Sequence, residues 1–243
     1  MHLIKLDATD STNGYLRRLL LSGVPEDYTV ISAVRQTQGR GQMGTHWVAE
    51  EGKNLTFSIL RRHLNLDADR GFVLNICVSL AIYTVLKQLQ VPDLSIKWPN
   101  DILSGNLKIC GILIESKIQG NVIDTSIIGI GLNVNQLNFE NLENASSLKR
   151  VLGRTFDLDD LLTQIVDALK KVFLQKDKKE NTFLWDAYES ALFKRGMPMT
   201  FENDIGDKFL GRIKEVSKDG KLVIAIEKDI LRSFDMKEVK LLY

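Results

Sequence analysis

The spacing of apolar and polar residues changes several times along the chain, and each change marks an element. Residues 2–7 (HLIKLD) alternate weakly, as a half-buried strand does. Asp10 or Ser11 can cap a short helix that carries Leu16, Leu19 and Leu20 on its apolar face; Gly23 ends it and Pro25 follows. Residues 28–34 (YTVISAV) are rich in strand formers. The stretch 36–47 (QTQGRGQMGTHW) then has no period, and strand character resumes at 54–60 (NLTFSIL). Over 68–90, Phe72, Ile76, Leu80, Tyr83 and Leu86 recur at helical spacing and predict one long helix.

From 95 to 134 the texture is β again. SIKWPNDIL runs to a loop at Ser104–Asn106, KICGILIES follows, and a Gln119–Gly120–Asn121 turn leads into VIDTSIIGIGLNV. That turn between two apolar alternating runs predicts a hairpin. Residues 136–146 are asparagine-rich and predict a loop. Asp157 can cap the next helix, whose stripe is Leu161, Ile165, Leu169 and Val172; QKDKKE (175–180) reads as its solvated end, and 180–193 as a second helix. After Gly196 short strands recur every eight to twelve residues: PMTFEN, DKFLGRIKEV, LVIAIE, ILRSF and EVKLL, with a turn at SKDGK. That spacing predicts a small all-β barrel and a domain boundary near residue 194.

Composition narrows the classes. The chain has 243 residues, 44% of them apolar and 26% charged, which is ordinary globular composition. With 32 basic and 31 acidic residues the net charge is +1, so bulk electrostatics give a nucleic-acid-binding role no support. The two cysteines, Cys77 and Cys110, form no CxxC, and His2, His46 and His63 are scattered, which argues against a staple or a His-based metal site. The N-terminus has no apolar run of signal-peptide length, and apolar stretches are interrupted short of the ~20 residues of a membrane span. A soluble cytoplasmic protein is expected.

Four segments could carry chemistry. In 36–47, Gly39, Gly41 and Gly44 free the backbone to approach a ligand, and Arg40 adds a fixed charge; a flexible surface loop is the plain alternative. Gly39 and Gly44 have phosphate-loop spacing, but the lysine of that motif is missing. In KWPND (97–101), Lys97 lies in an apolar β segment, where burial is costly without a partner, and Asn100 and Asp101 offer an amide and a carboxylate at a strand end. A turn with an exposed lysine is equally compatible. Gly111, central in KICGILIE, permits close approach of a ligand or simply of another backbone. IGIGLNVN (128–135) is no dinucleotide fingerprint, because Val134 stands where the third glycine belongs.

In order and spacing, STN (11–13), QTQGRGQMGTHW, KWPND, KICGILIE (108–115) and GIGLNVN (129–135) together resemble the biotin–protein ligase family. The resemblance implies an α+β fold: a class II aminoacyl-tRNA-synthetase-like catalytic domain, mixed β-sheet with helices, over 1–194, and an SH3-like β-barrel over 195–243. It implies a two-step reaction in which biotin and ATP give biotinyl-5'-adenylate, and a lysine of a biotin carboxyl carrier protein or domain then takes the biotin, with Mg²⁺ accompanying ATP.

Residue by residue, Ser11, Thr12, Asn13, Gln36, Gly39, Arg40, Gly41 and Gly111 resemble the biotin-binding positions, with the glycine-rich loop as a lid and Gly111 at the pocket floor. Lys97 matches the lysine that bridges the biotin carboxylate and the α-phosphate, so Lys97, with Arg40, is the expected catalytic charge. Gln42, Trp47, Asn100, Asn133 and Arg232 fall toward the nucleotide, although Trp47 could equally be core packing and Arg232 an acceptor contact. The loop departs from the usual GRGRxGR, because Gln42 and Thr45 replace two arginines. The winged-helix DNA-binding domain of some members has no room ahead of residue 3, so a ligase without repressor function, without DNA or membrane partners, and dimeric through the main sheet is the expectation. Rival readings are a lipoate–protein ligase, a non-catalytic biotin-binding module and a DNA-binding repressor.

Overall fold

The computed structural model describes residues 2–140, 142–176 and 182–243. The main sheet is built from β1 (His2–Thr9), β2 (Thr29–Gln36), β3 (Leu55–Arg61), β4 (Leu66–Asp67), β5 (Leu94–Lys97), β6 (Asp101–Ser104), β7 (Leu107–Gln119) and β8 (Val122–Leu132). Its order is β1-β2-β3-β8-β7-β6-β5, with β4 paired to β8. β1 and β2 are parallel and the other pairs antiparallel, so the sheet is mixed, as expected.

Helices cover both faces. α2 (Phe72–Gln88) packs with α4 (Leu158–Lys176) and α5 (Thr182–Ser190) on one side. On the other, α1 (Thr12–Ser22) closes a small cluster of Leu16, Ile31, Leu60 and Ile127. Neighbours in sequence, Val30 and Ile31 or Ile127 and Ile128, fall into the two clusters because side chains alternate across a strand. β3 is buried along its whole length, which explains why NLTFSIL shows no clean alternation.

Local chemistry sets the boundaries. Ser11, and not Asp10, is the N-cap of α1. Asp157 Oδ1 accepts from the backbone N–H groups of Asp159 and Asp160, the expected cap of α4. α2 begins at Phe72 after a 3₁₀ turn at Ala68–Arg70. The segment Ala68–Gln88 is long and apolar enough to cross a membrane by composition, longer than the interrupted runs expected, but it is a core helix, with 67% of its most apolar window buried. α5 stops at Ser190 because the next residues leave the helix to lie beside β5: Ile96 N–H donates to Ala191 O and Phe193 N–H to Ile96 O, both at 2.8 Å. A short helix, α3 (Leu148–Leu152), capped by Ser147, follows the asparagine-rich loop. Most of the QKDKKE run, and the first residues of the expected 180–193 helix, lie outside the described residues.

The C-terminal strands β9 (Pro198–Asn203), β10 (Lys208–Val216), β11 (Leu222–Ala225), β12 (Leu231–Phe234) and β13 (Val239–Leu242) form an antiparallel sheet of order β12-β11-β10-β9-β13. Its Phe201, Ile213, Leu222, Ile224 and Leu241 belong to the same apolar cluster as α2 and α4. Trp98 Nε1 donates to Gly220 O at 2.9 Å, and a Cβ at Gly220 would collide with the Phe72 ring. The two sheets therefore share one packed core.

Candidate active site

A cavity of about 370 Å³ opens where the two sheets meet. Its polar end is made by the start of α1 with β2 and β3. Ser11 Oγ accepts from Gly14 N–H, which leaves its proton for another acceptor. The backbone N–H of Thr12 donates to Gln36 Oε1 at 2.8 Å, so the Gln36 amide nitrogen is left to donate. Ser58 Oγ, fully buried, lies 2.6 Å from Thr12 Oγ1 and 2.5 Å from Asn13 Oδ1. Asn13 Nδ2 donates to Glu115 Oε2 at 2.8 Å, and Arg17 pairs with the other oxygen of that carboxylate.

The floor is bare backbone. Gly111 on β7 pairs with Gly131 on β8, and Gly129 lies two residues away. A Cβ at Gly131 would occupy the Trp47 indole, and one at Gly129 the Asn13 amide. Trp47 thus packs directly on the glycines, with Lys108 Nζ 5.7 Å from its ring centroid; its Nε1 is buried without an acceptor among the described residues. The glycine-rich loop closes on itself: Gly41 N–H donates to Thr45 O at 2.7 Å and Trp47 N–H to Gly39 O at 2.9 Å. A side chain at Gly39 would strike the Trp47 carbonyl, so this close approach needs glycine.

The other end is cationic. Lys97 ends β5, partly buried, with Nζ 4.9 Å from the Tyr243 ring centroid. Burial pushes its pKa below the ordinary lysine range; Asp101 opposes this, while Lys108 and Lys240 reinforce it. Lys108 Nζ pairs with Asp101 Oδ1 at 2.7 Å. Lys237, two residues before β13, and Lys240, on it, line the same cavity. Asp101 is a carboxylate beside these ammonium groups, and no trio of His, Cys, Asp or Glu side chains converges as a metal cage among the described residues.

Of the residues expected in the site, Ser11, Thr12, Asn13, Gln36, Arg40, Gly41, Gln42, Trp47, Lys97, Asn100 and Gly111 line this cavity. Asn100 does so with its amide committed, Nδ2 donating to Ile112 O at 2.7 Å. Gly39, Asn133 and Arg232 do not line it. Gly39 forms the base of the loop. Asn133 is buried behind the floor and donates to Ser146 O at 3.0 Å. Arg232 is exposed on β12, an edge strand. Sequence reasoning passed over Lys108, although it opens the KICGILIE motif, and over Lys237 and Lys240, which only tertiary packing brings here. Cys110 is buried, and burial raises its thiol pKa above the usual range, so it is no nucleophile.

Comparison with known proteins agrees. The bifunctional ligase/repressor BirA of Bacillus subtilis is 27% identical over 242 residues, 96% of this chain and 72% of the relative. The biotin–[acetyl-CoA-carboxylase] ligase of Mycobacterium tuberculosis is 28% identical over 221 residues, 90% of this chain and 81% of the relative. The Aquifex aeolicus biotin protein ligase, solved in complex with biotin and ATP, superposes with a TM-score of 0.83 at 26% identity, covering 99% of this chain and 98% of that one. The sequence profile of the biotin/lipoate A/B protein ligase family matches residues 6–133, which with the fold makes this chain a member of that family.

Proposed function

We infer that the chain is an ATP-dependent biotin–protein ligase. One observation carries the choice of biotin within the family: the polar end of the cavity is matched to a cyclic urea. Ser11 and Gln36 offer donors suited to the urea oxygen, and Thr12 stands beside them to meet a urea N–H. A dithiolane ring would leave these groups unpaired in a buried site, which costs more than the missing bonds alone.

A ligand whose ring sits there extends its chain along the cavity past Trp47 and delivers its carboxylate to Lys97 and Lys108. An oxygen of that carboxylate attacks the α-phosphorus of ATP, the bond to pyrophosphate breaks, and biotinyl-adenylate forms. The two ammonium groups offset the repulsion between the anions, and reduced solvation strengthens their effect. The acceptor lysine then attacks the acyl carbon, the bond to AMP breaks, and the amine gives up a proton as the amide forms. Mg²⁺ commonly binds through phosphate oxygens with one or two carboxylates, and Asp101 is placed to contribute. Arg40 and Gln42 reach the same space from the loop, Gly41 giving it a close backbone approach.

The acceptor we propose is the carrier domain of a biotin-dependent carboxylase. A catalytic unit over 1–194, a C-terminal unit over 195–243, cytoplasmic location, dimerisation through the main sheet and lack of DNA or membrane partners belong to the same reading. Incubation with biotin, MgATP and a carboxyl carrier domain should add one biotinyl mass to one lysine. Transfer of lipoate but not biotin under the same conditions overturns the reading.

A further inference from the structure

We propose that Tyr243 is a positioning residue whose ring face keeps the Lys97 ammonium charged at the cavity without taking up its hydrogen-bond donors. The consequence for activity rests on the adenylation reading above. Tyr243 does not line the cavity, so it acts on the reaction only through Lys97.

The charges around Lys97 show why it needs such a partner. Its ammonium is desolvated at the end of β5, and burial favours the form without the charge. The charged groups that face it are Asp101 from β6, Lys108 from β7 and Lys240 from β13, with Lys237 lining the same cavity. Three of these four are cations. The one carboxylate is already bound to Lys108 Nζ at 2.7 Å. Among the described residues no carboxylate lies within ion-pair distance of Lys97. What lies over its Nζ is the Tyr243 ring, 4.9 Å from the centroid and inside the ~6 Å reach of a cation–π attraction.

A ring is a different kind of partner from a carboxylate. An Asp or Glu there would neutralise the charge and occupy part of the three ammonium N–H groups, and the anions of adenylation would have to displace it. An aromatic face attracts the cation through its quadrupole and leaves the N–H groups to the ligand carboxylate and the α-phosphate. Burial and Asp101 push the Tyr243 phenol above its usual range, so the ring stays neutral while the lysine titrates. The ring is also held in place. Tyr243 follows β13, whose buried Leu241 pairs with Phe201 of β9. Its ring meets Phe193 edge to face, with centroids 5.0 Å apart at 66°. Phe193 is buried, and its N–H donates at 2.8 Å to the carbonyl of Ile96, the residue before Lys97. Ring and lysine come from different sheets and are tied together through Phe193.

Two substitutions separate the ring's electrostatics from its packing. Tyr243→Leu keeps an apolar side chain and removes the quadrupole, whereas Tyr243→Phe keeps the ring and removes only the hydroxyl. We expect Y243L to lower the Lys97 pKa by about half a unit or more. Biotin-dependent pyrophosphate exchange should then fall about fivefold on its alkaline limb and far less below it, with KM for biotin within about twofold. Y243F should match the wild type. A packing role alone would lower the melting temperature and leave the Lys97 pKa where it was. Competitive acetylation of Lys97 by acetic anhydride across pH, resolved by mass spectrometry, reads that pKa without calling on activity. Should Y243L melt below the assay temperature, phenylalanines with increasing ring fluorination, placed at 243 alone, keep the shape while weakening the negative face; the pKa should then fall step by step. A Lys97 pKa unchanged in folded Y243L, a pKa flat across the fluorinated series, or a Y243F that loses as much as Y243L overturns the proposal. Absence of biotin-dependent exchange in the wild type, with the acetylation result intact, would instead reject the adenylation reading.

Discussion

Near α1, Thr12, Asn13, Ser58 and Glu115 are joined in a chain of short hydrogen bonds; near β5, Lys97, Lys108, Lys237 and Lys240 line one end of the cavity, with Asp101 paired to Lys108. The first end is paired within the protein and comes from α1, β3 and β7 of the main sheet. The second holds an excess of positive charge and comes partly from the C-terminal sheet. A paired, buried network can reject the wrong ring shape but cannot move charge. An underpaired cationic end says little about shape, yet it is where anions can be brought together. Recognition and reaction are thus assigned to separate chemistry within one cavity.

The largest effect expected at the cationic end is that of Lys97→Met. Adenylation should fall about 10²–10³-fold, the scale of losing one charge-stabilising donor. The melting temperature should hold or rise, because a partly buried ammonium is removed. Pyrophosphate exchange and a thermal melt check both; exchange within a few-fold of wild type would move the role to Lys108. Next is pH. Burial lowers the Lys97 pKa, so its charge is present below that value and is lost as pH rises through it. Adenylation should therefore show an alkaline limb below the usual lysine range, and Lys97→Arg should move that limb upward. Between the folded and unfolded pKa the unfolded chain binds more protons, so this group's contribution to stability rises with pH.

A smaller effect is expected where the two ends meet. Gly131→Ala places a methyl in the Trp47 ring and should cost about 1–3 kcal/mol of stability by overpacking. Tryptophan fluorescence and a denaturant titration measure it, and an unchanged spectrum and stability would show that Trp47 need not lie on the floor. The smallest concerns Gln42, which lines the cavity where relatives of the resembled pattern carry arginine. Gln42→Arg should slow release of preformed adenylate by about 1 kcal/mol or less, and less again at raised salt. Equal release rates at both salts would mean that the lysines of the C-terminal sheet already supply the charge.

What could be read from the chain followed how local the cause was. STN, KWPND and the glycine-rich loop were legible because each is a short segment whose residue types already state its chemistry, and the structure brings all three to one cavity. The strand NLTFSIL was legible as a strand, but not that Ser58 would be the hinge of a buried network, since its partners lie more than forty residues away. Gly129 and Gly131 looked like a failed dinucleotide motif. Only the β7–β8 register shows them to be the floor beside Gly111. Arg232 was expected toward the nucleotide or the acceptor and yet sits on an edge strand and does not line the cavity, while Lys237 and Lys240, a few residues on, do. The change of strand spacing after Gly196 announced a second, all-β portion, while the α+β class of the whole came from the resemblance. That the two sheets share one core was not legible, because it depends on contacts such as Trp98 with Gly220.

That last contact changes what the Ser217–Lys221 turn is free to do. A hairpin tip rich in lysine, aspartate and glycine is ordinarily where a chain tolerates insertions, tags and sequence drift. Here its glycine carbonyl holds the indole of Trp98, next to Lys97 in sequence, and its Cα lies against Phe72. Lengthening the turn by a single residue would withdraw that carbonyl and shift the strand end that carries the lysine. A segment that looks like spare surface is in effect a fixed-length spacer, and anyone choosing a place to label or fuse this protein should look elsewhere.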